Sequence, residues 1–132
     1  MEAFDRLVKV GKVRYVGASN YRAWRLEKAR WISRTNGWAE FCCVQQRYTY
    51  LRPAPGASFE PQLAVNDDLL DYTRREGVTL LAYSALLGGA YTREERNFPE
   101  QYAGPDAQAR LAALDEVAEA HGATRNQIIT TT

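Results

Sequence analysis

Residues 13 to 21 read "VRYVGASNY". Val13, Tyr15 and Val16 make a β-favouring run that stops at Gly17, and Ser19 and Asn20 follow immediately before a helical pattern. Both are residue types that cap helices, and both also have the hydrogen-bonding chemistry to hold a ligand. The stretch therefore reads as the end of a strand feeding a helix, with the role of its two polar residues left open.

Working outward, Phe4, Leu7 and Val8 stand at helical spacing before a stop at Gly11, and the strand is expected over 13 to 18. A second helix runs from Asn20 through Trp24, Leu26, Ala29 and Ile32 to Gly37, which suits a C-cap. "FCCVQQRYTYL" (41–51) opens a second strand, and "RPAPGASFEP" then brings three prolines that exclude regular structure. "NDDLLDYTRREG" predicts a helix starting at Asn66 or Asp67 and ending at Gly77, with Leu69, Leu70 and Tyr72 inward. "VTLLAYSAL" is an almost continuous apolar run, expected to be a strand covered on both faces. A loop follows, containing one short helical turn.

"DAQARLAALDEVAEAHG" places Leu111, Leu114, Val117 and Ala118 on one face of a helix. "TRNQ" has the form of a capping box, Thr124 with Gln127, for a last helix that the β-branched "IITTT" is expected to cut off. Alternating helices and strands mean parallel strands joined by crossover helices. Three strands are few for such a sheet, so the expectation is part of a larger α/β structure.

Composition narrows the function. Apolar residues are 45% and charged residues 25% of 132, with a net charge of +1 and no basic block, so no nucleic-acid surface is indicated. No apolar run has the length of a membrane span and no signal peptide is visible, which makes the cytoplasm the expected location. Cys42 and Cys43 are the only cysteines; adjacent in a strand, they should point to opposite faces and remain free thiols. One histidine, His121, offers no zinc-ligand spacing and reads as a surface residue at a helix C-terminus.

All three strands end in polar or aromatic residues: Ser19 and Asn20, Gln45 and Gln46, Tyr83 and Ser84. In parallel α/β folds these ends share one rim, where ligands bind. A carboxamide can pair with a ligand amide, and a tyrosine offers a flat face to a ring. Gln45 and Gln46 alternate across their strand, so at least one is expected to face out.

Taken together and in order, "GKVRYVGASNY", "VQQRY", "LLAYSALLGG" and "EAHGATRNQ" resemble the aldo-keto reductases, (β/α)8-barrel enzymes that reduce aldehydes and ketones with NADPH. The resemblance implies an α/β fold, a partial (β/α)8 TIM barrel over residues 1–132 that carries strands five to seven. It implies that Ser19, Asn20 and Gln45 bind the nicotinamide carboxamide, that Tyr83 stacks on the ring, and that Ser84, Ala85, Leu86 and Leu87 hold the pyrophosphate. The cofactor so implied is NADPH, with NADH as the alternative, and the substrate is a small carbonyl compound. The family's catalytic residues belong to earlier strands, and none is carried over here. Arg93 and Glu94 stand where the family has a glycine and a lysine. Open strand edges also suggest a homodimer or a complementing barrel half, and a non-catalytic assembly module is the alternative function.

Overall fold

In the computed structural model, which describes residues 1–131, helices and strands alternate as the sequence implies. Helix α1 (Glu2–Lys9) precedes strand β1 (Val16–Ser19), followed by α2 (Ala23–Asn36), β2 (Phe41–Arg47), α3 (Asp67–Glu76) and β3 (Thr79–Tyr83). Two short 3-10 turns (Leu87–Gly89 and Glu100–Tyr102) lead to α4 (Pro105–Ala120) and α5 (Arg125–Thr131). The three parallel strands form one sheet in the order β1-β2-β3. Each crossover carries one helix, the spacing that parallel pairing requires.

The described residues gather into two compact units. The first comprises Met1–Gln46 and Gln62–Leu81, and the second Arg47–Pro61 and the described residues from Ala82 onward. In the first, the core is built from Val16 and Ala18 of β1, Leu26 of α2, Phe41 and Val44 of β2, and Leu69 of α3. Helix ends follow local chemistry: Asn66 Oδ1 accepts from Leu69 N at 3.0 Å as the N-cap of α3, and Gly37 and Gly77 stop α2 and α3 in the left-handed region at φ 66° and 64°. Arg30, on α2, donates to Glu40 Oε2 at 3.0 Å and to the Tyr72 hydroxyl at 3.2 Å, tying α2 to α3.

In the second unit, Tyr91 and Tyr102 are the largest fully buried side chains and pack with Leu51, Leu87 and Leu114. The Thr124–Gln127 capping box forms: Gln127 Oε1 accepts from Thr124 N at 2.8 Å, and Thr124 Oγ1 accepts from Gln127 N at 3.3 Å.

Several expectations are corrected. Strand β1 starts at Val16, not Val13. Strand β3 is not covered on both faces: Leu81 is 45% exposed and Ala82 is exposed too, so the apolar run reflects strand propensity without two-sided burial. Val117 is also exposed, on the outer side of α4. Helix α5 continues through Thr130 to Thr131 despite their low helix propensity, and their hydroxyls find acceptors within the helix, bonding back to carbonyls of the preceding turn, Asn126 O and Ile128 O among them.

Strand β2 departs from regular alternation. Val16 pairs with Phe41 but Gly17 pairs with Cys43, so Cys42 is an extra residue, a β-bulge. Its effect shows in the burial, with Phe41 and Val44 both on the covered face although three residues apart.

Candidate functional site

The polar residues of the first unit meet at the end of the β1–β2 ladder. Ser19 is the last residue of β1 and its register partner is Gln45. Asn20 N donates to Gln45 O at 3.1 Å, which extends the ladder one residue past the strand. Asn20 has φ 55°, a left-handed conformation that asparagine tolerates better than most residues. Its side chain is held from both ends: Oδ1 accepts from Leu63 N at 2.9 Å, and Nδ2 donates to Ser19 Oγ at 3.4 Å.

This geometry removes the capping alternative for Ser19 and Asn20. Helix α2 has its N-cap at Arg22, with no side-chain capping bond. The reason is the turn at Asn20, which puts its carboxamide oxygen on the amide of Leu63, where it cannot serve the first turn of α2.

The two glutamines divide. Gln45 and Ser19 are exposed on the open face of the sheet. Gln46 is 3% exposed; its Nε2 donates to Ala64 O at 3.3 Å, while its Oε1 has no hydrogen-bond partner among the described residues. It lines a cavity of about 160 Å³ with Arg22, Trp24, Leu63 and Asp68. Alternation along the strand foretold this split, but not which glutamine faces inward.

In the second unit, Tyr83 ends β3 and is half-buried, with the Arg47 guanidinium 5.6 Å from its ring centroid. Tyr83 O accepts from Tyr48 N at 3.2 Å. Ser84 follows with φ 55°, and its carbonyl accepts from Leu87 N at 3.0 Å, closing Ser84, Ala85, Leu86 and Leu87 into one tight turn. Within that turn the Leu87 amide is thus engaged by Ser84, and the Leu87 side chain is buried.

A support that sequence reasoning missed lies beneath the turn. Thr49 Oγ1 donates to Ala85 O at 2.6 Å and is 2.8 Å from the Tyr91 hydroxyl, which also accepts from Leu51 N at 3.1 Å. Burial pushes the Tyr91 phenol above its ordinary pKa, so it remains protonated and able to donate. No local signal marks Thr49 as the partner of a carbonyl 36 residues away. Arg93 lies against Gly89, whose φ of 95° and close neighbour leave little space for a side chain. His121, at the C-cap of α4, is exposed and donates from Nδ1 to Val117 O at 2.9 Å.

Comparison with known proteins places these residues in context. Residues 1–130 match the sequence profile of the Aldo/keto reductase family. Protein tas of Escherichia coli (strain K12) is 30% identical over 135 residues, covering 92% of this chain and 36% of that protein. Versiconal hemiacetal acetate reductase of Aspergillus parasiticus is 30% identical over 93 residues, 70% of this chain and 24% of that enzyme. Among solved structures, that of a putative 2,5-diketo-D-gluconic acid reductase B matches with a TM-score of 0.64 and 23% identity, over 97% of this chain and 34% of that one. The chain thus spans about a quarter to a third of the length of these relatives, and its sheet and helices match a portion of a TIM barrel.

Proposed function

Because this chain belongs to the aldo/keto reductase family, we propose that it serves NAD(P)H-dependent reduction of aldehydes or ketones by holding the nicotinamide and pyrophosphate parts of the cofactor. The single observation that carries this reading is the register of β1 with β2, which pairs Ser19 with Gln45 and staples Asn20 to the same strand end.

The residues fit the group. A carboxamide offers one acceptor and two donor hydrogens, and Ser19 Oγ, the Asn20 Nδ2 group and the exposed Gln45 carboxamide supply both complements on one rim. Asn20 is pre-oriented, since the bond from Leu63 N fixes which end of its amide is the oxygen. In the second unit, Tyr83 supplies an aromatic ring for stacking, and the Ser84–Leu87 turn supplies the Ser84 hydroxyl, the short side chain of Ala85 and a backbone suited to an anion. When bound, NAD(P)H supplies the hydride; the chain's residues orient it. No residue is assigned to proton transfer.

The test is a fluorescence titration with NADPH. Tyr83→Ala should weaken binding by about 1 kcal/mol or more through lost stacking, while Arg22→Ala should change it little. Equal effects from both substitutions would refute the assignment.

A second reading rests on Leu81, 45% exposed on β3. An uncovered apolar strand is a surface for pairing with another chain, and a second copy would bury it. Light scattering after gel filtration decides: a monomer across a wide concentration range would exclude assembly through this strand.

A further inference from the structure

The bulge in β2 changes what the two cysteines can do. In a regular strand their side chains would lie on opposite faces, but Cys42 is the inserted residue, and both sulfurs face the neighbouring strand. Cys42 Sγ donates to Val16 O at 3.4 Å. Cys43 Sγ lies over Gly17, the next residue of β1, so closely that a Cβ placed there would be 2.5 Å from it. Two thiols thus sit over adjacent residues of one strand, and Gly17 leaves the room that Cys43 occupies. Burial pushes the Cys43 thiol above its ordinary pKa and the neighbouring Cys42 thiol adds to the shift, so Cys43 stays protonated. Cys42 is exposed and Cys43 is partly exposed, so a small reagent can reach the pair. Gln45, two residues further on, is exposed as well.

We infer that Cys42 and Cys43 form a chelating dithiol site for a trivalent arsenical. The step is redox-neutral. Two thiols condense with an organic arsenoxide such as phenylarsine oxide: two As–S bonds form, the As–O bonds break, and the two thiol protons leave with the oxygen as water. Arsenic stays trivalent and the sulfurs are not oxidised, so no oxidant is needed. The site is independent of the cofactor reading.

With only two cysteines in the chain, the test is unambiguous. The full chain is incubated with phenylarsine oxide and examined by intact mass and thiol titration. The expected result is one phenylarsenic group per chain, loss of both titratable thiols, retention against excess monothiol and release by a dithiol. Cys42→Ser and Cys43→Ser should each weaken retention on the order of 100-fold, because the second As–S bond is then no longer intramolecular. Gly17→Ala, which keeps both thiols but displaces Cys43 Sγ, should weaken it too; circular dichroism verifies that the variant is folded. The inference is overturned by single-cysteine variants that retain the arsenical equally well, by one arsenic bridging two chains, or by no adduct on the folded chain.

Discussion

Replacing Tyr91 with phenylalanine tests the support under the Ser84–Leu87 turn. A hydroxyl carries one hydrogen. Thr49 spends its hydrogen on Ala85 O at 2.6 Å, so the 2.8 Å contact must be a donation from Tyr91 to Thr49 Oγ1, while Tyr91 accepts from Leu51 N. Phenylalanine keeps the ring and its edge contact with Phe98, whose centroid is 5.2 Å away, so the variant isolates the hydroxyl. Leu51 and Tyr91 are 2% and 1% exposed, and water cannot readily replace the lost partner. A buried amide left without an acceptor costs about 1–3 kcal/mol, and the lost bond to Thr49 adds roughly 0.5–1.5 kcal/mol. The expected destabilisation is therefore about 2–4 kcal/mol. Urea unfolding should show it as a lower midpoint at unchanged slope, and the Leu51 amide should exchange faster than in the parent protein. A loss below about 0.5 kcal/mol would refute the reasoning, because surface substitutions commonly reach that value.

The acid–base cluster on α2 gives a second outcome. Arg30 and Arg34 both reach Glu40 Oε2 and Glu76 Oε2, so either arginine partly substitutes for the other. Arg30→Ala and Arg34→Ala should each cost less than the double variant implies, with a coupling of about 0.5–3 kcal/mol in a double-mutant cycle; strict additivity would refute the shared network. Asp5 supplies a pH dependence. Its hydrogen bond with Lys9 holds the carboxyl below its ordinary pKa, burial opposes this, and the Ala39 amide adds to the lowering. A depressed folded value means that Asp5 stabilises above the unfolded pKa of about 3.9 and loses that contribution as pH falls through the folded value. The stability gap between the parent protein and Asp5→Asn should therefore narrow between neutral pH and about pH 3, and a constant gap in urea midpoints would count against it. Ser84→Gly should stabilise the protein by up to about 1 kcal/mol, read as a higher urea midpoint, through relief of its left-handed backbone; a lower midpoint would mean that the side chain itself holds the turn.

Features decided within a few residues were legible in the sequence. Asn66, Gly37, Gly77 and the Thr124–Gln127 pair act on neighbours within one helical turn, so residue type and spacing were enough. What escaped depends on distant partners. The bulge at Cys42 exists only relative to β1, and nothing in "FCCVQQR" marks it. The exposure of Leu81 depends on what covers the strand, which its own side chain does not specify. Asn20 carries cap chemistry, yet Leu63, 43 residues on, claims its oxygen. Of the candidate site, the residue types at the strand ends were legible, while the separate fates of Gln45 and Gln46 were not.

Asn20 and Ser84 share one arrangement, and it bears on why polar residues stand at these strand ends. Each directly follows the last residue of its strand, and each has φ 55° without being glycine. Such a conformation persists where surrounding bonds fix it. Around Asn20 these are its amide to Gln45 O and its side chain to Leu63 N; around Ser84 they are its carbonyl to Leu87 N, with Thr49 holding the next carbonyl. The turn ends each strand abruptly and leaves Ser19 and Tyr83 as the final residues of β1 and β3. At β1 the polar chemistry goes unused by the helix that follows, because the cap of α2 falls at Arg22 without a side-chain bond. A better cap at position 22 would stabilise α2 by about 1 kcal/mol, and the chain instead keeps its serine and asparagine at the strand end. That choice carries no gain for α2; with the Asn20 oxygen engaged by Leu63 N, it leaves Ser19 and its register partner Gln45 as the exposed polar pair that our proposal assigns to a ligand.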